Sequence, residues 1–351
     1  MFDSLADAAE ALLAYFNQPQ VEIFVEALIP TVTFTLTEAE YAPGGTRIGG
    51  APDAPAGFDW PHPEIPANLE EIISRANEDA GREMRQHIMA RTPYAFIAQI
   101  NLAEAARLGP VAAPLPQDGR LLFFYDLATG PWDTGTRTAK VIWDRTPVDA
   151  LHPLTPPSDL LAAAAREKER NAALNAEYGL EPEIEGAGTS YGGPARAMKL
   201  TTTLRLPEIY AVEIDAFPDI AAAARQETDD AAKQELFSDY MNALEGIDLK
   251  RASEEETGHQ LLGSPYPEQD DPRYDAVAVT EWGRQYLSSE EWTARRDEMF
   301  TKARDWALLL QVEIGDWMQE RFAEGKIYFL IHRDDLAARR FERVVAVYQQ
   351  T

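Results

Sequence analysis

The sequence predicts an α+β fold built twice: two similar halves, each with a mainly antiparallel sheet and a packing helix, sharing one core. Three observations carry this. Ala307–Ile331 reads as two apolar strands joined by a short polar connection, and Ala95–Tyr125 repeats the pattern. In each copy a strand ends in Gln, apolar, polar, apolar (Gln99–Leu102, Gln311–Ile314), and Gly plus a basic residue opens the next (Gly119-Arg120, Gly325-Lys326). The glutamines lie 212 residues apart and the glycines 206, and so regular an offset is the mark of an internal repeat.

In order, residues 1–30 form an N-terminal helical segment. Ser4 or Asp3 caps a helix over Leu5–Phe16, and Val21, Phe24, Val25 and Leu28 recur at helical spacing after Pro19. The first repeat, 31–146, opens with the β-branched strand Thr31–Thr37. A Gly/Pro loop follows, pinned by Phe58 and Trp60, then a helix over Asn68–Ala90, the first strand pair and the strand Ala139–Asp144. Residues 147–199 read as a linker or lid, with a charged helix over Leu160–Tyr178 and the Gly-rich run Gly186–Pro194. The second repeat, 200–351, predicts strands at Leu200–Leu206 and Tyr210–Asp215 and a helix at Asp219–Leu244. A second loop, His259–Pro267, comes next, followed by a helix from Ser288 with capping-box spacing to Glu291, the second strand pair and Arg343–Tyr348. The runs Leu121–Tyr125 and Ile327–Ile331 are apolar at consecutive positions, so both faces need cover. The copy's own helix covers one face and the sister copy the other, in two sheets or one continuous sheet.

Composition narrows the function classes. The chain of 351 residues is 45% hydrophobic, which suits a globular protein, and it has no cysteine for disulfides, thiolate metal sites or thiol nucleophiles. Acids stand near the N-terminus where a signal peptide needs basic residues, and no apolar run approaches a membrane span. The expectation is a cytoplasmic protein. The net charge of −27, from 32 basic and 59 acidic residues, repels nucleic acid and anionic lipid and favours a basic protein as partner.

No catalytic constellation, metal site or cofactor motif emerges. Gly188-Thr189-Ser190-Tyr191-Gly192 matches the nucleophile-elbow pattern but lacks a strand before it and a helix after it. No two of the five histidines share the spacing of a zinc helix. Asp270-Asp271 and Glu254-Glu255-Glu256 read as solvated acids, and Asp334-Asp335 as the cap of a helix at Leu336–Arg340. Gln99 and Gln311 interrupt apolar strands, so each amide needs partners. Either each ties down its own Gly/Pro loop, or both line a polar pocket between the halves. That pocket would be built from Arg47, Gly49, Gly50, Trp60, Gln99, His259, Gly263 and Gln311, with Trp60 and Trp282 as aromatic walls or as core.

The motifs together resemble the YwqG-like family, a bacterial family of unassigned function. The resemblance rests on Arg47–Pro52, Phe58–Pro61, Phe96–Leu102 and Gly119–Tyr125 in the first half. In the second it rests on His259–Pro265, Leu308–Val312 and Asp334–Val344, and it spans Thr31 to the C-terminus. It implies an α+β fold with duplicated halves and transfers no catalytic residue. Two stretches depart from the pattern: Asp316–Arg321 stands where Trp-Gly-Asp is expected, and Ser264-Pro265-Tyr266 where more glycine is expected. The favoured function is a non-enzymatic binding protein, immunity-type or regulatory, whose acidic surface meets a basic partner. The alternative is a small-molecule binder or enzyme with its pocket between the halves.

Overall fold

Strands that are apolar at every position must be sandwiched, and the computed structural model shows how. It describes residues 1–37, 41–182, 184–251, 256–318 and 324–350. The strands are β1 (Ile29–Leu36), β2 (Arg47–Ile48), β3 (Asp53–Ala54), β4 (Ala95–Asn101), β5 (Arg120–Tyr125), β6 (Ala139–Asp144) and β7 (His152–Pro153). Then come β8 (Arg196–Arg205), β9 (Glu256–Leu261), β10 (Trp306–Glu313), β11 (Lys326–His332) and β12 (Val345–Gln349). Ten of them form one antiparallel sheet in the order β12-β11-β10-β9-β1-β8-β2-β4-β5-β6, while β3 and β7 pair separately.

The sheet curls until its ends nearly meet. Gly135, just before β6, exchanges two backbone hydrogen bonds with Ala346 on β12, of 3.2 and 3.3 Å. The inner face of the curl is a shared core. Leu121, Phe123 and Tyr125 from β5 meet Ile327, Phe329 and Ile331 from β11, and the Phe123 and Phe329 rings lie 5.1 Å apart. Fully burying such side chains contributes about 1.5–3 kcal/mol each, so neither run is stable without the other.

The outer faces are covered differently. Tyr328 and Leu330 lie beneath Tyr274 and Val277 of the helix Pro272–Glu281 and Met299 of the helix Ser289–Ala303. Leu122 and Phe124 lie instead beneath Trp60, Tyr94 and Leu160. The first half's outer cover is thus its Gly/Pro loop and the linker helix Ser158–Tyr178, not its own helix Glu78–Ala90, which packs around Ile72 and Trp132.

At the centre the halves interlock. β1 pairs with β9, and β8 pairs with β2, so each half's opening strand lies beside the other half's loop strand. The N-terminal helices Leu5–Leu12 and Gln18–Glu26 pack through Leu12, Val21 and Phe24 onto Phe217, Ile220 and Tyr240.

Several elements depart from their sequence expectations. The helix expected over Asn68–Ala90 divides into Leu69–Ile73 and Glu78–Ala90, because the Asn77 side chain caps a fresh start by accepting from Ala80 N. The helix expected over Asp219–Leu244 breaks at Gln226, where φ is +57°, into Pro218–Ala224 and Ala231–Arg251. Tyr210–Asp215 is not a strand; a 3₁₀ turn spans Val212–Ala216, and Val212 N donates to Asp271 Oδ2 at 2.8 Å rather than to a ladder. The last short helix is Arg333–Ala337, with His332 as N-cap, so Asp334 and Asp335 sit inside its first turn. Among the described residues no helix is long and apolar enough to cross a membrane. Glu254, Glu255 and the stretch from Gln319 to Arg321 lie outside the described residues.

Candidate functional site

The two strand glutamines do the same job in the two halves. Gln99 Oε1 accepts from Asp53 N at 2.9 Å while its Nε2 donates to Gly45 O at 2.9 Å. Gln311 Oε1 accepts from Tyr266 N at 2.9 Å while its Nε2 donates to Gly258 O at 3.1 Å. The clamped residues correspond at one offset, Gly45 with Gly258 and Asp53 with Tyr266, each 213 residues on. Both amides are buried, and both ends of each are used to hold a loop.

Arg47 and Asp53 complete the first clamp. Arg47 Nη2 lies 3.2 Å from Asp53 Oδ1, its guanidinium stacks 4.5 Å from the Tyr41 ring centroid, and Asp53 is fully buried. Gln260 stands in Arg47's place and donates to Leu262 O and Ser264 O at 2.8 and 2.6 Å. His259 is 1% exposed, and its Nδ1 accepts from Glu313 N at 3.1 Å. Burial, then the charge of Arg196, push its imidazole down to about 3, so at neutral pH it is an uncharged loop support.

The glycines are there for close approach. Gly49 and Gly50 have φ of +72° and +74°, and an added Cβ would meet Pro194 O at 2.1 Å and Ala195 Cβ at 2.7 Å respectively. Gly263 has φ of +78° and its Cβ would meet Thr31 Oγ1 at 2.3 Å. Its neighbour Leu262, in Gly49's place, is held at φ +59° by burial of its side chain in the shared core. Trp60 packs on Phe124 and donates from Nε1 to Tyr94 O at 2.9 Å; Trp282 carries Arg295 over its ring at 4.7 Å.

In the sheet order the Arg47–Gln99 group and the His259–Gln311 group are separated by β1 and β8. Of these eight residues, Gly50 borders a groove of about 440 Å³ between the linker helix and the Gly-rich run. Ser190 donates its hydroxyl to Glu167 Oε1 at 3.0 Å, not to a histidine, and its loop has no strand before it and no helix after it. His87 and Asp126 form a buried pair with Nε2 2.9 Å from Oδ1. Burial raises the Asp126 carboxyl, but His87, Thr129 and Arg137 more than offset this and hold it below the usual range. Among the described residues no group of three or more His, Asp or Glu side chains is placed to hold a metal ion.

A cavity of about 400 Å³ lies where sequence reasoning placed only solvated acids. Asp270, Asp271 and Asp275 converge on it, walled by Tyr274, Tyr286 and Trp292. Asp271 caps the helix Pro272–Glu281 and is consumed by Arg273, whose Nη2 lies 2.6 Å away and whose guanidinium also binds Glu213. Asp270 and Asp275 have no cation within ion-pair distance among the described residues. Burial, then the charges of Asp270 and Asp271, push the Asp275 carboxyl up to about 7; burial and Asp271 raise Asp270 as well. Two carboxyls that resist ionisation beside three aromatic rings favour an incoming cation. The signal was faint but present: Asp-Pro starts a helix, and Tyr274, Tyr286 and Trp292 are concentrated in one stretch.

No curated protein matches the chain. The family model of DUF1963, described as a domain of unknown function, matches residues 46–349. That span runs from the residue before Arg47 to the end of β12 and takes in both strand glutamines and the acidic cavity, so the chain belongs to the DUF1963 family.

Proposed function

We propose that this protein is a binding protein that recognises a cationic side chain, arginine or lysine, of a basic partner in the cavity of Asp270 and Asp275. The supporting observation is the pair of raised carboxyls facing about 400 Å³ of space with aromatic walls and no cation against them among the described residues. A guanidinium there would lie against Trp292 or Tyr286, the latter 70% exposed at the rim, and would lower the cost of ionising Asp275. The net charge of −27 adds long-range attraction for the same partner. The loops that the glutamines hold are the scaffold in this reading, and the protein acts without catalysis.

The architecture fits the same proposal. We read the matched clamps as the trace of an internal duplication, with repeats at 31–146 and 200–351 whose opening strands are exchanged, and place the chain with the YwqG-like proteins. In the second repeat the helix Pro272–Glu281 lies against the sheet and forms one wall of the cavity.

Fluorescence anisotropy of a labelled tetra-arginine peptide tests the function. Binding is expected to weaken with salt and to fall at least about tenfold in the Asp270→Asn/Asp275→Asn double variant. Equal binding by a folded double variant would remove the cavity from the account.

A further inference from the structure

A second cavity, of about 260 Å³, lies at the junction of the two halves under the linker. Glu167 and Arg170 of the linker helix and Ser190 of the Gly-rich run face apolar walls that include Leu127 from the first half and Ile314 and Tyr348 from the second.

The linker helix changes character as it reaches this cavity. Its first turns bury Leu160 and Ala163, as a packing helix should. The next inward position is Glu167, 8% exposed, and two turns later Asn175 is 3% exposed with Oδ1 unpartnered among the described residues. Buried polar groups are costly, and a packing face that turns polar against local rules marks a site of use. Glu167 Oε1 accepts from both Ser190 N and Ser190 Oγ, at 3.1 and 3.0 Å. Glu167 has no ion pair among the described residues, and its Oε2 has no partner among them. Arg170, one turn on along the same helix, borders the cavity and makes its ion pair with Glu83 at 2.6 Å, both side chains about half exposed.

The cavity therefore offers a buried carboxylate lacking a cation, a guanidinium one helical turn away, and an apolar wall opposite. We propose that it binds a small zwitterion of the α-amino-acid type with an apolar side chain: the ammonium at Glu167, the carboxylate at Arg170, and the side chain against Leu127, Ile314 and Tyr348. The site is separate from the acidic cavity, so the two proposals stand or fall independently.

Isothermal titration of the full chain with L-leucine, L-methionine and L-phenylalanine at millimolar concentration tests this. Saturable heat is expected for at least one, none for its N-acetyl derivative, and weaker binding for the matching amine without a carboxylate. Glu167→Gln should abolish the heat. Arg170→Ala, at an exposed position that should not disturb folding, should weaken the amino acid about tenfold and leave the amine unchanged. The Asp270→Asn/Asp275→Asn variant should bind the amino acid normally. No heat with any of the three, or heat unchanged in folded Glu167→Gln, overturns the site; equal binding of amine and amino acid overturns the zwitterion.

Discussion

Gly49 and Trp317, 268 residues apart, close on the same atom. Trp317 Nε1 donates to Pro194 O at 2.9 Å, and a Cβ on Gly49 would lie 2.1 Å from that oxygen. One carbonyl of the linker is thus held between the two halves, and Gly50 N adds a bond to Gly193 O at 2.9 Å. Gly49→Ala must both move backbone and adopt a left-handed conformation. The expected loss is about 3 kcal/mol or more, read by urea denaturation, against about 1–2 kcal/mol at Gly57, which is also left-handed (φ +81°) but has open space for a Cβ.

The glutamine clamps make a matched prediction. Gln99→Leu leaves Asp53 N and Gly45 O without their side-chain partner, and Gln311→Leu does the same to Tyr266 N and Gly258 O. Each substitution should cost about 1–3 kcal/mol. The two share no partner, so the double variant should show the sum within about 0.5 kcal/mol. A large coupling energy in the double-mutant cycle would mean the two loops are energetically one unit.

Arg273 is 1% exposed and is the counter-charge for Asp271 and Glu213. Arg273→Leu leaves two carboxylates without their cation and should destabilise the fold by about 3–5 kcal/mol. Differential scanning calorimetry should show the transition moving down well outside the shift of an exposed control, Arg145→Ala.

Asp275 gives the pH dependence. Burial pushes its carboxyl up to about 7 in the fold from the ordinary 3.8 of an exposed aspartate, so the folded state binds the proton more tightly. Its ionisation therefore costs stability above about pH 7, and that cost disappears as pH falls toward 4. Asp275→Asn should be more stable than the parent at alkaline pH, by up to about 4 kcal/mol, and this advantage should shrink steadily below neutrality. Urea denaturation of both chains across the pH range reads the difference directly.

What could be read from sequence was local. The strand pairs show because Leu121–Tyr125 and Ile327–Ile331 are apolar without interruption, and the clamps show because a glutamine in such a strand needs an explanation. Ser288 announces its helix through Glu291, and both capping-box bonds form. The pairing of β1 with β8 and β9 was out of reach, since nothing within Thr31–Thr37 says which distant strand it will pair with. The linker helix reads in sequence as the charged helix of a linker or lid because its inward face carries Glu167 and Asn175, the polar residues that set it apart. Asp270 and Asp275 were hidden among 59 acidic residues, and only the helix that follows Asp271 brings them together around one space.

The most direct test of cation recognition is calorimetric titration of tetra-arginine near pH 7, repeated in buffers of different ionisation heat. The measurement counts protons released as the peptide binds. Since Asp275 is partly protonated there, a guanidinium in the cavity must expel part of a proton, and Asp275→Asn must abolish that release. Binding with no net proton release, or with the same release in Asp275→Asn, would contradict the account.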